Sequence, residues 1–204
     1  SSPDKIIRDK CTQCFKCVDV CPSGALERCG NDIDMDQLVE KVLEDEAFFE
    51  ASGGGVTVSG GEALMQMDSV GELFSRLKQR NVHTLIQTAG LFNYKVFENL
   101  VLPYTDTIYF DLKLMDSDAH KQYCGVPNHS IHENFRQVQA LARDSVIEVL
   151  PRVPLVPFIT DTDENLSAIA DFMLENGVKN MQILPYNPIW LDKLPRFGSV
   201  QRLD

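Results

Sequence analysis

The chain has 204 residues, 44% hydrophobic and 24% charged, enough for one sizeable core with a small appendage. No apolar run approaches the roughly 18–20 residues of a membrane span, and no signal-like apolar stretch opens the sequence, so a soluble, cytoplasmic protein with no membrane partner is predicted. With 19 basic against 30 acidic residues and a net charge of −11, the composition argues against a nucleic-acid partner.

Five of the six cysteines, Cys11, Cys14, Cys17, Cys21 and Cys29, fall within the first 29 residues. A disulfide framework would spread its cysteines along a short chain; clustering of this kind points to a metal or iron–sulfur site. Cys11-x2-Cys14-x2-Cys17-x3-Cys21-Pro22 has the spacing of a bacterial ferredoxin run. Three of its thiolates reach one cubane, and the proline turns the chain so that the fourth ligates the other cluster of a pair. A zinc knuckle could use two C-x2-C pairs, but the overlapping triplet followed by Pro22 favours iron–sulfur. No second motif follows in the chain, so its partner is expected upstream of Ser1; Cys29 and Cys124 read as ordinary thiols.

Residues 31–50 carry eight acidic side chains against Lys41 alone, and Met35, Leu38, Val39, Val42 and Leu43 recur at helical spacing. This predicts one amphipathic helix with a solvated acidic face, N-capped by Asp34 with Gln37 three residues on. Short apolar or β-branched runs follow at 55–59, 83–87, 107–111, 146–150 and 180–184. Helical patterns lie between them around Val70–Leu77, Val96–Val101, Ile131–Ala142 and Leu166–Met173, with Gly177 as a stop. The alternation predicts right-handed crossovers and a parallel sheet, either a barrel or an open doubly wound sheet. Five strands are few for a barrel, so either the sheet is open or a first strand is missing. Residues 188–204 have no periodic run and read as an irregular tail.

Chemistry in a parallel α/β fold gathers at the carboxyl ends of the strands. There the sequence places Gly60, Gly61 and Glu62, then Thr88 and Gly90, then Asp111 and Lys113, then Arg152, then Tyr186 and Asn187. The glycines allow close backbone approach, Glu62 offers a carboxylate to an ammonium, and Lys113 and Arg152 offer cations to a carboxylate. A zwitterionic ligand would suit them together; surface ion pairs are the bland alternative.

GGGVTVSGGEALMQ at 53–66, YFDLKLMD at 109–116, CGVPN at 124–128, RVPLVP at 152–157 and LPY at 184–186, after a ferredoxin motif, resemble the activating enzymes of glycyl radical enzymes, which are radical S-adenosylmethionine proteins. The resemblance runs from Cys11 to about Asn187. It implies a partial parallel (βα) barrel of the radical S-adenosylmethionine type lacking its first strand over 31–187, the second half of a ferredoxin-like insert over 1–30, and the tail over 188–204. It also implies S-adenosylmethionine and [4Fe–4S] clusters as cofactors, a glycyl radical enzyme as protein substrate, and a flavodoxin or ferredoxin as reductant. In the family, a cluster held by three cysteines delivers one electron that cleaves the sulfonium, and the resulting 5′-deoxyadenosyl radical takes a hydrogen from a glycine of the partner. Carried over by position, Gly60, Gly61 and Glu62 would hold the methionyl amine. Asp111, Lys113 and Arg152 would surround the ligand and its carboxylate, and Thr88 would line the same site. Cys11, Cys14, Cys17 and Cys21 would belong to the auxiliary-cluster insert.

Three departures stand out. The family's C-x3-C-x2-C is absent, since Gly24 stands where its third cysteine would follow Cys17 and Cys21. Asn187, which by its position would also contact the S-adenosylmethionine, replaces a common histidine, and Phe158 replaces a usual glycine. These imply a fragment that carries most of the S-adenosylmethionine pocket but not the reactive cluster, and is therefore inactive by itself. Two other readings compete. A ferredoxin-like electron-transfer protein on an α/β scaffold explains the cysteines but not the converging strand ends. A cluster-free aldolase would use Lys113 as Schiff-base nucleophile, although Asp111 nearby should stabilise the ammonium.

Overall fold

The structure is a computed structural model that describes residues 6–194. The described helices are α1 (Lys16–Asp19), α2 (Met35–Leu43), α3 (Glu46–Ser52), α4 (Met67–Lys78), α5 (Tyr94–Leu100), α6 (Ser117–Cys124), α7 (His129–Arg143) and α8 (Asp163–Glu175). The strands are β1 (Gly55–Val58), β2 (His83–Thr88), β3 (Thr107–Asp111), β4 (Glu148–Pro154) and β5 (Gln182–Leu184). The chain divides into two compact units. One runs from Asp34 to Tyr186, and the other comprises the segments before and after it.

In the larger unit the five strands lie in the order β1-β2-β3-β4-β5, all parallel. Each crossover adds its strand to the same growing edge. That is the singly wound order of a barrel, without the reversal that defines a doubly wound sheet. Alternate residues therefore divide between two unlike faces. Ile86, Ile108, Phe110 and Val153 point into a core with Phe74 and Leu77 of α4, Phe97 of α5, Phe135 and Val138 of α7, and Ile169 of α8, all buried. Phe110 meets Phe135 edge-on at 5.1 Å between ring centroids, and Phe135 meets Phe172 at 5.4 Å. The opposite face carries Thr57, Gln87, Tyr109, Asp111, Leu150, Arg152 and Gln182, none of them fully buried. Parallel strands covered on both faces read as continuous apolar runs; these strands alternate instead.

Several expected elements differ in extent. The helix predicted over 31–50 is two helices, α2 and α3, which break at Glu44–Asp45. Asp34 caps α2 as expected, accepting from the N–H of Asp36 at 2.8 Å. Arg76 of α4 pairs with Asp36, and Arg80 pairs with Glu46 at 3.0 Å, so part of the acidic face is spent within the fold. Helix α6 has no counterpart in the sequence reading: it buries only His120, so no apolar period marks it, and it rests on Asp116, which accepts from the N–H of Ala119 at 2.7 Å. Strand β4 starts later than predicted and runs on through Arg152 to Pro154. Pro151 and Pro154 cannot donate to a ladder and disguise this central strand in the sequence. Helix α8 ends at Glu175, with Gly177 just beyond in a left-handed turn, φ +69°. Of the predicted tail, Pro188–Lys193 forms a 3-10 turn, and residues 195–204 lie outside the described residues.

In the other unit, α1 buries no residue. The Arg28 guanidinium stacks on Phe15 at 4.9 Å and pairs with Asp32 at 2.6 Å. No described helix is long and apolar enough to cross a membrane.

Candidate ligand site at the strand ends

A chain of hydrogen bonds runs across the carboxyl ends of four strands. Gly60, past the end of β1, has φ +127°, a backbone that side-chain-bearing residues rarely adopt. A Cβ on Gly60 or Gly61 would meet nothing within 4 Å, so both glycines border open space. Glu62 follows and turns back towards β2. Its Oε1 accepts from the Thr88 hydroxyl at 2.8 Å and from the N–H of Leu64 at 3.2 Å, and its Oε2 accepts from the N–H of Ala89 at 2.8 Å. A carboxylate offers about four acceptor positions, so about one remains for an outside donor. Thr88 is buried and also accepts from the N–H of Gly90 at 3.0 Å, which fixes the hydroxyl that holds Glu62. Gly90 is required here: its φ is +84°, and a Cβ would sit 2.3 Å from the Phe110 ring.

From β2 the chain passes to β3 and β4. Gln87 donates to Asp111 Oδ2 at 3.2 Å, and Arg152 Nε donates to Asp111 Oδ1 at 3.0 Å. Asp111 and Arg152 are direct partners in the sheet register, and their side chains are only 16% and 12% exposed. The Arg152 guanidinium also lies 5.0 Å above the Tyr109 ring. The bland alternative is thus half right: Asp111 does form an ion pair, but with Arg152, across strands and largely out of solvent. Lys113, two residues beyond Asp111 and half-buried, makes no ion pair among the described residues. Asp111 is committed elsewhere, so it does not serve Lys113 as the sequence suggested. Cys124 lies close enough to feel the Lys113 charge, but burial pushes its thiol up.

Sequence reasoning missed three buried asparagines that hold these loops from behind. Asn134 donates to the carbonyls of Gly90 and Phe92 at 2.9 and 2.8 Å. Asn128 donates to those of Leu114 and Met115, both at 2.9 Å. Asn165 donates to those of Lys113 and Thr160, both at 2.9 Å, and accepts from the N–H of Met115 at 2.9 Å. Past β4, Thr160 closes a tight loop through Pro154 and Val156, and Phe158 projects from it 90% exposed with φ +64°. The left-handed backbone explains why glycine suits this position; a phenylalanine there costs about 1–2 kcal/mol.

Asn187 belongs to the other unit, where its side chain accepts from the N–H of Ile189 at 3.1 Å and caps the 3-10 turn. Cys11, Cys14, Cys17 and Cys21 lie in that unit as free thiols, the first three exposed. Among the described residues no three metal-ligating side chains stand together in position to hold an ion. The donor chemistry nonetheless fits a thiolate-ligated cluster. Left-handed residues Gln13 and Phe15 shape the loop. The N–H of Lys16 and the Thr12 hydroxyl hold the Cys14 thiol below the usual cysteine range, and the N–H of Leu26 and the Ser23 hydroxyl do the same for Cys21.

Comparison with known proteins agrees with the resemblance in the motifs. A 4Fe-4S binding domain family matches residues 5–26. The (2S)-3-sulfopropanediol dehydratase activating enzyme of Klebsiella oxytoca is 34% identical over 95% of this chain and 60% of its own length. The pyruvate formate-lyase 2-activating enzyme of Escherichia coli K12 is 36% identical over 87% and 60%. The isethionate sulfite-lyase activating enzyme of Oleidesulfovibrio alaskensis is 33% identical over 96% and 64%. The chain thus spans 60–64% of the length of these relatives. Among solved structures, a domain of a pyruvate-formate lyase-activating enzyme from Bacteroides vulgatus shares the fold, with a TM-score of 0.57, 24% identity and coverage of 72% of this chain and 97% of that one. Streptococcus suis SuiB bound to S-adenosylmethionine does so with a TM-score of 0.52, 18% identity and coverage of 78% and 37%. The chain is a homologue of the activating enzymes of glycyl radical enzymes, the radical S-adenosylmethionine proteins that its motifs resemble.

Proposed function

We propose that this chain is the S-adenosylmethionine-binding part of a glycyl radical enzyme activase, a partial (βα) barrel without its first strand, and that its strand-end rim binds the methionyl zwitterion. One observation supports the reading: with Arg152 neutralised by Asp111, the rim presents one carboxylate with room for about one more donor, Glu62, and one cation without an ion-pair partner among the described residues, Lys113. An amine and a carboxylate on one small ligand complement that pair. Gly60 and Gly61 leave the space through which the amine reaches Glu62, Thr88 fixes the Glu62 carboxylate, and Asp111 fixes Arg152 so that its remaining N–H groups face the ligand carboxylate. The bare, polar sheet face supports a barrel lumen rather than a covered sheet.

Cys11, Cys14 and Cys17 would hold one auxiliary cluster, and Cys21 would reach a second. The electron that cleaves the sulfonium would come from the family's reactive cluster, whose motif is not in this chain; what this chain's own residues do is seat the ligand. The chain contains no C-x3-C-x2-C, so we expect it to bind S-adenosylmethionine without cleaving it. The partner would be a glycyl radical enzyme, with electrons from a flavodoxin or ferredoxin. The electron-transfer alternative leaves the Glu62 and Asp111–Arg152 constellations without a use.

Isothermal titration of the chain with S-adenosylmethionine, followed by anaerobic incubation with a strong reductant, tests this. One saturable site and no 5′-deoxyadenosine above background is the expected result. Sustained 5′-deoxyadenosine would contradict the inactivity, and no binding would contradict the site.

A further inference from the structure

Past the end of β3 each of residues 112–115 has a backbone group held by a hydrogen bond. The N–H of Leu112 donates to the carbonyl of Arg152 at 2.9 Å. Asn165 takes the Lys113 carbonyl and the Met115 N–H, and Asn128 takes the carbonyls of Leu114 and Met115. The side chain carried by this fixed backbone, Lys113, is the rim's cation without an ion-pair partner among the described residues. A fixed backbone removes part of the ordering cost of binding, leaving only the lysine side chain itself to be ordered when the ligand binds.

Asn165 differs from the other buried asparagines in one respect. Asn134 and Asn128 each serve a single loop, whereas Asn165 joins two. One amide hydrogen goes to Lys113 in the loop after β3 and the other to Thr160 in the loop after β4, while Oδ1 takes Met115. Thr160 in turn bonds the Pro154 carbonyl and the Val156 N–H at 2.6 Å each, at the end of the strand that carries Arg152. Asn165 is only 8% exposed, and both its amide hydrogens and its Oδ1 are engaged by backbone groups, so it acts through what it holds. We infer that Asn165 is a positioning residue for the ligand site: it sets the Lys113 ammonium by clamping the loop after β3 to the loop after β4. The inference rests on the S-adenosylmethionine reading above.

The test compares the chain with Asn165→Ala, Lys113→Met and the double variant, by calorimetric titration with S-adenosylmethionine and by backbone hydrogen exchange. Asn165→Ala is expected to weaken binding about tenfold. The double variant should bind within about twofold of Lys113→Met alone, because a residue that acts through Lys113 adds nothing once Lys113 is gone. Asn165→Asp keeps the acceptor for Met115 and loses both donors; it is the second variant should the alanine substitution fail to fold, with the same outcomes expected. Unchanged affinity in Asn165→Ala, or additive losses in the double variant, overturns the inference. Should the unsubstituted chain not bind at all, the site reading falls, and exchange alone decides the clamp. Joint loosening of residues 113–115 and 156–160 with the strands still protected upholds it; loosening of one loop alone overturns it.

Discussion

The strand-end rim and the cysteine segment are the two places where chemistry is proposed for this chain, and they are built differently. Among the described residues every charged group named at the rim except Lys113 already has its partner: Glu62 is held by Thr88, Ala89 and Leu64, and Asp111 by Gln87 and Arg152. The supporting amides are buried in the core of the sheet and helices. In the cysteine segment three thiols are exposed, α1 buries nothing, and the order comes from turns and from N–H groups aimed at sulfur. The rim is built by the fold, so under the proposed function a ligand would find it preformed. The cysteine loop has the backbone to stabilise thiolates but does not gather them, so under the proposed function metal binding would provide the energy that closes it, as in other small metal-organised segments.

The comparison can be broken at either end. The largest effect should come from Gly90→Ala, which forces a side chain into the Phe110 ring at a left-handed position; unfolding in urea should show a loss of about 3–5 kcal/mol. Asp111→Ala should follow with about 2–4 kcal/mol, since it leaves the Arg152 guanidinium unpaired in a largely buried setting. A smaller effect belongs to His132. Burial, with Arg136 nearby, holds its imidazole down to about 4 from an ordinary 6.5. The folded state then keeps His132 neutral while the unfolded chain takes up a proton below about 6.5. Its contribution is full above that pH and is lost as pH falls towards 4. Discounted for partial exposure, this amounts to about 1–2 kcal/mol between pH 7.5 and 4.5, and His132→Phe should flatten that part of the pH–stability curve.

The smallest effect should come from Cys14→Ser in metal-free protein, within about 0.5 kcal/mol of the parent, because an exposed thiol supports no core. After anaerobic reconstitution the same substitution should abolish what iron and sulfide the parent retains. That amount is itself expected to be sub-stoichiometric and labile, since the motif supplies three ligands to one cluster and one to another. Stable, near-stoichiometric iron would instead mean that a further thiol such as Cys29 completes a site. A metal-free Cys14→Ser loss as large as that of Asp111→Ala would dissolve the contrast altogether.

What the sequence disclosed follows the same division. Period-2 and period-3.6 patterns located all five strands and the four apolar crossover helices, and the GGE and DLK motifs located Glu62 and Lys113. Local patterns carry no long-range hydrogen bonds, however. Nothing near Asp111 says that its partner is Arg152, 41 residues on, and nothing near Asn165 says that it reaches back to Lys113. Polar α6 lacked the apolar period, and two prolines masked the length of β4. The choice between a singly and a doubly wound sheet likewise needed the strand order, which local periodicity does not contain.

The most direct test of the central claim is a crystal structure of the chain soaked with S-adenosylmethionine. The account predicts the methionyl amine within hydrogen-bonding distance of the Glu62 carboxylate and its carboxylate on the Lys113 and Arg152 side. The rim residues should be displaced little from the positions described here. A ligand seated elsewhere, or a rim that must rearrange so that Glu62 releases Thr88 and Ala89 before the ligand can bind, would contradict it.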